Sequence, residues 1–394
     1  MTKNKSQKNI PDGWIVKNLG EIAAISRGGS PRPIEEYITK ESDGLNWLRI
    51  GDIDLGDKYI FTTSQKIKKE GLSRTTFVKR GDFILSNSMS FGRPYIMKID
   101  ACIHDGWLAL KEIKTNLISK DFLYYLLSSK KIQNDFVSIS AGSGVQNLKK
   151  ETVSCISVKL PLITEQKRIV AVLEVWDEMV EKLARKIEIK KNIKKGLMQE
   201  LLSGKKRLAG FNKKWELFKL KELCVIKKGQ QLNRDDMVAD GIYPALNGGI
   251  EASGYTNEWN TEGKTITISE GGNSCGFINF NQEKFWCGGH CYAVSPNKNA
   301  DKLFLYQVLK SKQNRIMSLR VGSGLPNIQK TSLDDLKILF PEDIKEQKAI
   351  ADILVTADRE IEKLEEKLRI IKEQKKFLLN NLITGQIRVP VGNE

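Results

Sequence analysis

EQKRIVAVLEVWDEMVEKLARKIEIKKNIKKGLMQELLSG occupies residues 165–204, and EQKAIADILVTADREIEKLEEKLRIIKEQKKFLLNNLITG occupies residues 346–385. Aligned without a gap at an offset of 181, the two segments are identical at 17 of 40 positions. Each segment follows a proline by a few residues and ends in a glycine. A repeat of this length predicts a chain built from two copies of one unit, as in a ruler or an adaptor.

The apolar residues of both segments recur three and four positions apart, which is the spacing of a coiled-coil seam. Lys194 and Lys375 interrupt this spacing at equivalent positions, and we expect either an exit of the seam to solvent or a pin of its register. Gly204 and Gly385 suit the position just past a helix C-terminus. The predicted seam residues are Ile169, Leu173, Trp176, Val180, Leu183, Ile187, Leu197, Leu201, Ile350, Leu354, Ile361, Leu364, Leu368, Ile371, Leu378 and Leu382.

A helix of about 38 residues is roughly 57 Å long and cannot bury its own apolar stripe. We therefore expect the two helices to pack on each other in antiparallel orientation. The alternatives are that each helix pairs with another protein, or that the chain dimerises. At the start of the second helix, Asp343 and Glu346 resemble a capping pair.

The repeat extends outside the helices through matched landmark residues. At an offset of 201, four residues near the start recur, and at an offset of 184 three more recur further along. The first set pairs Trp14, Leu19, Glu21 and Gly28 with Trp215, Leu220, Glu222 and Gly229, and the second pairs Ile84, Gly92 and Ala109 with Ile268, Gly276 and Ala293. The changing offset implies insertions and deletions between fixed points.

The globular segments have mixed character. Short runs at 47–53, 82–87, 107–113 and 264–269 are rich in β-branched, aromatic or other apolar residues, and polar or glycine residues flank them, which predicts strands. Residues 120–137 and 301–319 carry apolar positions at helical spacing and are predicted helices. We expect an α+β fold class, with two similar globular domains, two long helices packed as an antiparallel coiled coil, and an internal pseudo-twofold repeat.

Composition narrows the classes of function. The chain has 394 residues and a formal net charge of +16, which favours a polyanionic partner such as nucleic acid. A generally lysine-rich composition is the alternative explanation of the same excess. The polar N-terminus has no secretory apolar region, no apolar run is long enough to span a bilayer, and six cysteines without regular spacing indicate reduced thiols, so a cytoplasmic location is expected.

Catalytic motifs are weak. Asp105 followed by Glu112 and Lys114 fits the D…ExK spacing of a Mg²⁺-dependent nuclease, but the second half of the chain has no counterpart. The segment 263–265 lacks the upstream glycine of a phosphate-binding loop. No tetrapeptide of the DPPY or NPPY type is present. Cys275, Cys287, His290 and Cys291 could be drawn as a zinc site, but without paired CxxC knuckles buried thiols are favoured.

Two polar loops recur at the same landmarks of both halves and are the candidate DNA-binding sites. They combine cations suited to phosphates with Arg, Gln and Asn side chains able to read base edges, although any single one of them is more often an ordinary solvated turn residue. The candidates are Arg27, Ser30 and Arg32 with Ser143, Gln146, Asn147 and Lys149 in the first half, and Lys227, Lys228, Gln230, Gln231 and Arg234 with Ser323, Asn327, Gln329 and Lys330 in the second.

In order along the chain, these motifs resemble those of the specificity subunits of type I restriction–modification systems. The resemblance covers essentially the whole length. It rests on the Trp-x4-Leu-x-Glu starts at Trp14 and Trp215, on GGSPR at 28–32 and WLRIGDI at 47–53, and on the LP…EQ and FP…EQ helix starts with the LLSGKKRL and LITGQIRV helix ends. The second half has GQQLN where the first has GGSPR, so it departs from the pattern there.

The resemblance implies a first target-recognition domain at 1–160, a helical spacer at 161–207, a second target-recognition domain at 208–341, and a second long helix with a C-terminal tail at 342–394. It implies a non-catalytic subunit in which each domain reads half of a bipartite, asymmetric DNA site. It also implies that the helices set the half-site spacing and dock two methyltransferase subunits, with restriction or translocase subunits as further partners. S-adenosylmethionine, ATP and Mg²⁺ would bind those partners, and no cofactor or metal is expected in this chain. The alternatives are a coiled-coil scaffold and a self-contained nuclease.

Overall fold

The computed structural model describes residues 10–54, 56–87, 92–140, 147–322, 324 and 326–389, except for the side chain of Arg234. The chain divides into two compact units, a first unit of residues 1–182 and 368–394 and a second unit of residues 183–367. Within the described residues, no helix is both long enough and apolar enough to cross a bilayer.

The first unit contains strands β1 (Ile15–Asn18), β2 (Ala24–Arg27), β3 (Ile38–Thr39), β4 (Leu45–Leu48), β5 (Tyr59–Ile60), β6 (Gln65–Ile67), β7 (Thr76–Val78), β8 (Phe83–Ser86), β9 (Pro94–Met97), β10 (Ala101–Ile103), β11 (Trp107–Lys111) and β12 (Ser157–Leu160). The second contains β13 (Glu216–Lys219), β14 (Cys224–Lys228), β15 (Tyr243–Leu246), β16 (Gly254–Thr256), β17 (Thr265–Ser269), β18 (Ile278–Asn281), β19 (Trp286–Cys287), β20 (Cys291–Pro296) and β21 (Lys337–Phe340).

The α-helices are α1 (Leu19–Ile22), α2 (Lys120–Ser128), α3 (Lys130–Ser140), α4 (Lys150–Ser154), α5 (Ile163–Leu201), α6 (Leu220–Leu223), α7 (Lys302–Ser311), α8 (Gln313–Met317), α9 (Lys330–Asp334) and α10 (Ile344–Thr384). Short 3-10 helices occupy Ile34–Glu36, Ile50–Asp52, Lys69–Arg74 and Arg234–Asp236. This mixture confirms the predicted α+β class.

Each unit is built around a mainly antiparallel sheet. In the first unit its strand order is β2-β11-β8-β9-β5, and in the second it is β14-β20-β17-β18. Side chains alternate across a strand, so Leu108 and Leu110 of β11 join one buried cluster while Trp107 and Ala109 join another. Strand β11 is therefore covered on both faces, which explains its nearly continuous apolar sequence.

A second sheet in each unit differs between the two copies. Its order is β3-β6-β4-β10-β7 in the first unit and β16-β15-β19 in the second, counting the described residues. A small pair, β1 with β12 and β13 with β21, closes each unit against the start of its long helix. The landmarks of the sequence repeat therefore lie in shared elements, and the divergent residues build the second sheets.

Strand pairing refines one landmark. Ala109 lies opposite Ile84, whereas Ala293 lies opposite Thr267. Ile84 therefore corresponds to Thr267, and the predicted match of Ile84 with Ile268 is wrong by one residue. The error arose because the neighbouring glycine landmark has an offset of 184, after one extra residue in the intervening loop of the second unit.

Two predicted helices are each broken in two. The first ends at Ser128 and resumes at Lys130, because Ser129 adopts an extended backbone conformation. The second ends at Ser311 and resumes at Gln313. The predicted strand at 47–53 is also only partly correct. It ends at Leu48, where the Asp52 carboxylate accepts a hydrogen bond from the Arg49 backbone and a 3-10 turn begins.

The two long helices lie inside the predicted limits of 161–207 and 342–394. Every predicted seam residue is buried or half-buried. In the second unit, Lys194 of α5 forms an ion pair with Asp358 of α10. In the first, Lys375 of α10 forms an ion pair with Asp177 of α5. These pairs confirm antiparallel packing within the chain and identify the two lysines as register pins.

The EQ motif at the start of each long helix anchors its unit. The buried Glu165 carboxylate accepts hydrogen bonds from Trp14 and, at 2.7 and 2.9 Å, from Arg388. The buried Glu346 carboxylate accepts equivalent bonds from Trp215 and Arg207. An arginine three residues after each C-terminal glycine, Arg207 or Arg388, therefore closes a unit, and the C-terminal tail belongs to the first one.

This arrangement also corrects the capping prediction. The Asp343 carboxylate does accept a hydrogen bond from the Lys345 backbone at 2.8 Å. The Glu346 side chain does not return to the cap, because Arg207 and Trp215 occupy both of its oxygens. Gly204 and Gly385 have φ angles of 68° and 75°, which confirms that the helices end in left-handed turns.

Candidate nucleic-acid interface

The first glycine turn follows β2 and packs tightly against the turn between β10 and β11. The Gly28 backbone N–H donates to the Trp107 carbonyl at 2.8 Å. A Cβ at Gly28 would lie 2.0 Å from the carbonyl oxygen of His104. Only glycine therefore permits this close approach of two backbone segments.

Three predicted DNA-binding residues of the first unit converge on Asp105. The Ser30 hydroxyl donates to the Asp105 carboxylate at 2.9 Å, and the Arg27 guanidinium donates to the Asp105 carbonyl at 3.2 Å. Arg32 lies 3.9 Å from the same carboxylate and is 82% exposed. His104 completes the cluster, since its Nε2 lies 3.0 Å from the carboxylate and its Nδ1 accepts from the Gly106 backbone.

Partial burial works to raise the pKa of Asp105, but the Ser30 hydroxyl, His104 and Arg27 together hold that pKa below its usual value. The carboxylate is therefore ionised and holds the surrounding donors in place. The exposed Arg32 and Arg27 guanidiniums give this turn positive charge at the surface.

The second unit repeats the turn with different side chains. The Gly229 backbone N–H donates to the Cys291 carbonyl at 2.8 Å, and a Cβ there would lie 2.3 Å from two carbonyl oxygens. Lys228 forms an ion pair with Glu270 at 2.6 Å. The Gln230 backbone N–H donates to the Cys287 carbonyl, and the Gln230 carbonyl accepts from the Trp286 indole. The exposed side chain of Gln230 takes no part in these two bonds.

Lys227 and Gln231 complete the described part of this turn. Both side chains are exposed, and the Gln231 amide donates to the Leu232 carbonyl at 3.2 Å. The side chain of Arg234 lies outside the described residues. The structure thus brings Lys228, Gln230 and Gln231 to one edge of the second unit.

The second pair of predicted loops is described in part. Asn147 is half-buried, and Lys149 is exposed at the start of α4. Asn327 bridges Gly271 and Val321 through its backbone. Gln329 precedes α9, and Lys330 forms an ion pair with Asp334 within that helix. Ser143, Gln146 and Ser323 lie outside the described residues.

In each unit, the glycine turn and the later loop come together beyond the end of one strand, β8 in the first unit and β17 in the second. The Leu148 backbone donates to the Asn87 side chain at 2.5 Å, and the Ile328 backbone donates to the Glu270 carbonyl at 2.8 Å. Asn87 and Glu270 occupy equivalent positions, because each backbone N–H donates to the carbonyl that precedes Trp107 or Cys291. The glycine turn and the later loop therefore form one surface in each unit.

Sequence reasoning missed several residues of these surfaces. Asp105 was considered only as a nuclease carboxylate, and Asn87, Glu270 and Tyr292 were not considered. The scarcity of histidine was an unused signal, because both histidines of the chain lie in the equivalent turns before β11 and β20. Each of them faces a carboxylate, since His290 lies 3.6 Å from Glu270.

The D…ExK nuclease arrangement is not formed. Asp105 precedes β11 and Glu112 follows it, so the two carboxylates lie at opposite ends of one strand. Seven residues of extended chain separate them by about 20 Å, too far for one Mg²⁺. Asp105 is instead occupied by Ser30 and His104.

The zinc alternative has no support in the geometry. Cys275, Cys287 and Cys291 are buried free thiols whose sulfurs hydrogen-bond to backbone carbonyls. Burial raises the pKa of Cys275, which disfavours the thiolate that zinc requires. Throughout the described part of the chain, no group of three His, Cys, Asp or Glu side chains is placed to hold a metal ion.

Comparison with known proteins identifies the family. The sequence profile described as "Type I restriction modification DNA specificity domain" matches residues 11–191 and 212–372. A putative type I restriction enzyme specificity subunit of Methanocaldococcus jannaschii is 28% identical over 412 residues, covering 96% of this chain and 95% of the relative. A putative type I specificity subunit of Mycoplasma pneumoniae is 36% identical over 175 residues, covering 44% of this chain and only 46% of that relative.

Solved structures share the fold. The crystal structure of a type I restriction–modification S subunit from M. genitalium superposes with a TM-score of 0.63 at 21% identity, covering 97% of this chain and 99% of that one. A chain from a study of complex assembly and conformational transition in the type I system has a TM-score of 0.64 at 19% identity. Since the family profile matches both halves, this chain belongs to the type I restriction–modification DNA specificity family.

Proposed function

We propose that the chain is the non-catalytic DNA-recognition subunit of a type I restriction–modification complex. The observation that carries this proposal is the repetition of one polar surface, built around Gly28 in the first unit and Gly229 in the second. A net charge of +16 supports a polyanionic partner, and family membership supports DNA in particular. The separation of Asp105 from Glu112 argues against the nuclease alternative.

Each unit reads one half of a bipartite, asymmetric site. The shared turn supplies one cation at the same position of each unit, Arg27 or Lys228, while the side chains around it differ between the units. Gly29 and Ser30 stand where the second unit has Gln230 and Gln231, and Arg32 stands where it has Asn233. The second sheets are also built from different strands. Different side chains on a common scaffold imply two different half-sites.

The long helices set the spacing between the half-sites. Helices of 39 and 41 residues are about 58 and 62 Å long. Half-sites one turn of DNA apart have centres separated by about 34–36 Å. Register pins such as Lys194 with Asp358 support a fixed length, because they resist sliding of one helix along the other.

The partners are two methyltransferase subunits, with restriction or translocase subunits added in the complete complex. Ile189 and Ile370 occupy equivalent positions of the repeat and are 51% and 41% exposed. Apolar residues exposed twice at the same place support one contact made twice. S-adenosylmethionine, ATP and Mg²⁺ bind the partner subunits, and the complex works in the cytoplasm.

Single-molecule sequencing of host DNA for methyladenine, with and without the gene for this chain, tests the proposal. The expected result is the loss of methylation at one split, asymmetric motif when the gene is deleted. Unchanged methylation in cells that express all subunits of the system would refute the proposed function.

A salt titration separates DNA recognition from the coiled-coil scaffold alternative. The affinity for the split motif should fall steeply as salt rises, while the preference over unrelated DNA persists. A scaffold with incidental positive charge would bind all sequences alike and lose all of its DNA affinity at high salt.

A further inference from the structure

A buried carboxylate lies beneath the recognition surface of the second unit. Glu270 follows β17, and its side chain is only 10% exposed. One oxygen accepts hydrogen bonds from Lys228 at 2.6 Å and from the Tyr292 hydroxyl at 3.0 Å. Lys228 itself is 52% exposed, so the buried carboxylate holds an ammonium group that faces solvent.

The second oxygen of Glu270 is buried, and no described residue donates a hydrogen bond to it. The Nδ1 atom of His290 lies 3.6 Å from this oxygen, and the His290 side chain is 61% exposed. Leaving a buried carboxylate oxygen unpaired costs stability. A site that tolerates this cost at a binding surface is a candidate for a contact completed when the ligand arrives.

Tyr292 fixes the carboxylate from below. Its hydroxyl lies 3.0 Å from the Glu270 carboxylate and 3.0 Å from the Ile328 carbonyl, and its single proton is shared between these two acceptors. Burial and the contact with Glu270 raise the pKa of Tyr292, so this hydroxyl stays protonated as a donor. Glu270 is therefore held by the core and by the loop that precedes α9, and it has little freedom to follow Lys228.

The first unit has a neutral amide at this place. Asn87 is equivalent to Glu270, and its side-chain oxygen accepts from the Leu148 backbone. The strand residue equivalent to Lys228 is Arg27, because each lies opposite the residue after Trp107 or Cys291. Arg27 binds the Asp105 carbonyl and not Asn87. At this position, the described residues pair a buried acid with an exposed lysine in the second unit, whereas the first unit has Asn87 and Arg27 there.

The chemistry of the pair favours base reading over phosphate binding. A lysine that binds phosphates contributes its full charge and releases counterions. The charge of Lys228 is offset by Glu270, so what it presents is a donor in a fixed position. Guanine offers two adjacent acceptors, N7 and O6, in the major groove, and lysine is among the side chains that recognise them.

We propose that Glu270 is a positioning residue that holds Lys228, with His290 beside it, to read the acceptor edge of a guanine in the half-site bound by the second unit. This inference rests on the proposed function of the chain. His290 moves onto the open oxygen of Glu270 when DNA is bound, which locks the lysine against the base pair.

The experiment measures selection from a random-sequence duplex library by the full chain in complex with its methyltransferase subunits. Glu270→Gln and Lys228→Ala should each reduce discrimination for G·C at one position of the second half-site by about 10- to 100-fold. The preference at the first half-site should not change. His290→Ala should reduce the same preference, and its exposed ring can be removed without opening the core.

The salt dependence of DNA binding is a second measurement, and it would not change if Glu270 had only a structural role. Glu270→Gln frees the charge of Lys228, so the salt dependence of binding should steepen by about one unit of slope while base discrimination falls. Lys227→Ala, a neighbouring exposed lysine, should weaken binding to all sequences alike and lower the slope by about one. Glu283→Gln makes the same charge change at an exposed turn and serves as the control.

Two results overturn the proposal. One is an unchanged base preference in Glu270→Gln and His290→Ala. The other is an equal loss of preference at both half-sites, which would indicate damage to the whole complex. The wild-type complex separates this failure from failure of the proposed function, because a wild type that selects no split motif refutes the function itself.

Discussion

The two arginine anchors offer a matched test of how each unit is closed. Arg388, in the C-terminal tail, bonds the buried Glu165 through two nitrogens, and Arg207 bonds the buried Glu346 in the same way. We predict that Arg388→Ala destabilises the first unit and that Arg207→Ala destabilises the second. Each substitution leaves a buried carboxylate with the indole of its tryptophan as one remaining donor.

The magnitudes follow from burial. A hydrogen bond to a charged group contributes about 1.5–3 kcal/mol, and loss of the partner of a buried charge costs more than loss of an exposed one. Arg388 is 41% exposed and its effect is discounted for solvent screening to about 2 kcal/mol. Arg207 is 24% exposed and faces a carboxylate that is 1% exposed, so we expect about 3 kcal/mol.

Hydrogen exchange measured by mass spectrometry, together with calorimetry, checks the prediction. For units of roughly 200 residues, these losses correspond to decreases in Tm of about 4–8 °C and 6–12 °C. Protection should fall around Trp14 in Arg388→Ala and around Trp215 in Arg207→Ala. Arg388→Lys should recover only part of the lost stability, because lysine keeps the positive charge but cannot bind the carboxylate through two nitrogens. A larger effect for Arg388→Ala, or loss of protection in the other unit, would refute the reasoning.

Insertion of one heptad into both α5 and α10 should lengthen the spacer of the recognised motif by about 3 base pairs, since seven residues add about 10 Å to each helix. Methyladenine sequencing measures the spacer. The same half-sites at unchanged spacing would show that the helices do not set the distance between them. Gly229→Ala should destabilise the second unit by about 3 kcal/mol, because its Cβ would lie 2.3 Å from two carbonyl oxygens. Gly196→Ala, where the new Cβ would meet no atom within 4 Å in α5, should stabilise the protein by about 0.5–1 kcal/mol. Urea unfolding compares the two variants. Lys194→Met should change stability by less than about 1 kcal/mol, because the Asp358 carboxylate is 30% exposed and keeps the hydrogen bond from Gln307. Asp358→Ala should cost about 2 kcal/mol because it leaves a half-buried ammonium unpaired, and equal effects in thermal unfolding would contradict this account. Because the pKa of Asp105 is lowered in the folded state, its carboxylate contributes stability above the unfolded pKa of about 3.9. This contribution is lost as the pH falls through the folded pKa. Asp105→Asn should therefore make the free energy of unfolding of the first unit less dependent on pH below about pH 4, as measured by fluorescence.

Local periodicity was sufficient to predict the long helices. Their limits, the seam and the lysine interruptions were predicted from spacing along a single segment. The structure has helices within those limits, and both interrupting lysines form ion pairs. The shorter elements were predicted less well, because their ends depend on tertiary contacts. The chain leaves the helix at Ser129, whose hydroxyl and backbone N–H both donate to the Leu126 carbonyl, and no periodicity marks that residue.

The candidate site was predicted in outline. Glycine turns with flanking cations recur at fixed landmarks, and this recurrence is visible in the sequence. The partners of those cations were not visible, since Lys228 and Glu270 are 42 residues apart and meet only through the pairing of β14 and β17 with β20. The same holds for Ser30 and Asp105, which are 75 residues apart.

The sequence by itself determined that the chain is a twofold repeat with two seam-bearing helices, because identity at a constant offset and a 3.5-residue period are properties of neighbouring residues. Only the tertiary structure decided which residues close each unit and which carboxylates organise each recognition surface. Arg388 lies 223 residues from Glu165, and contacts at that separation depend on how whole elements pack. Lysine and arginine recur throughout a chain of this composition, so many cations could pair with a given carboxylate. Burial and strand register decide which cation reaches it, and no local sequence pattern encodes them.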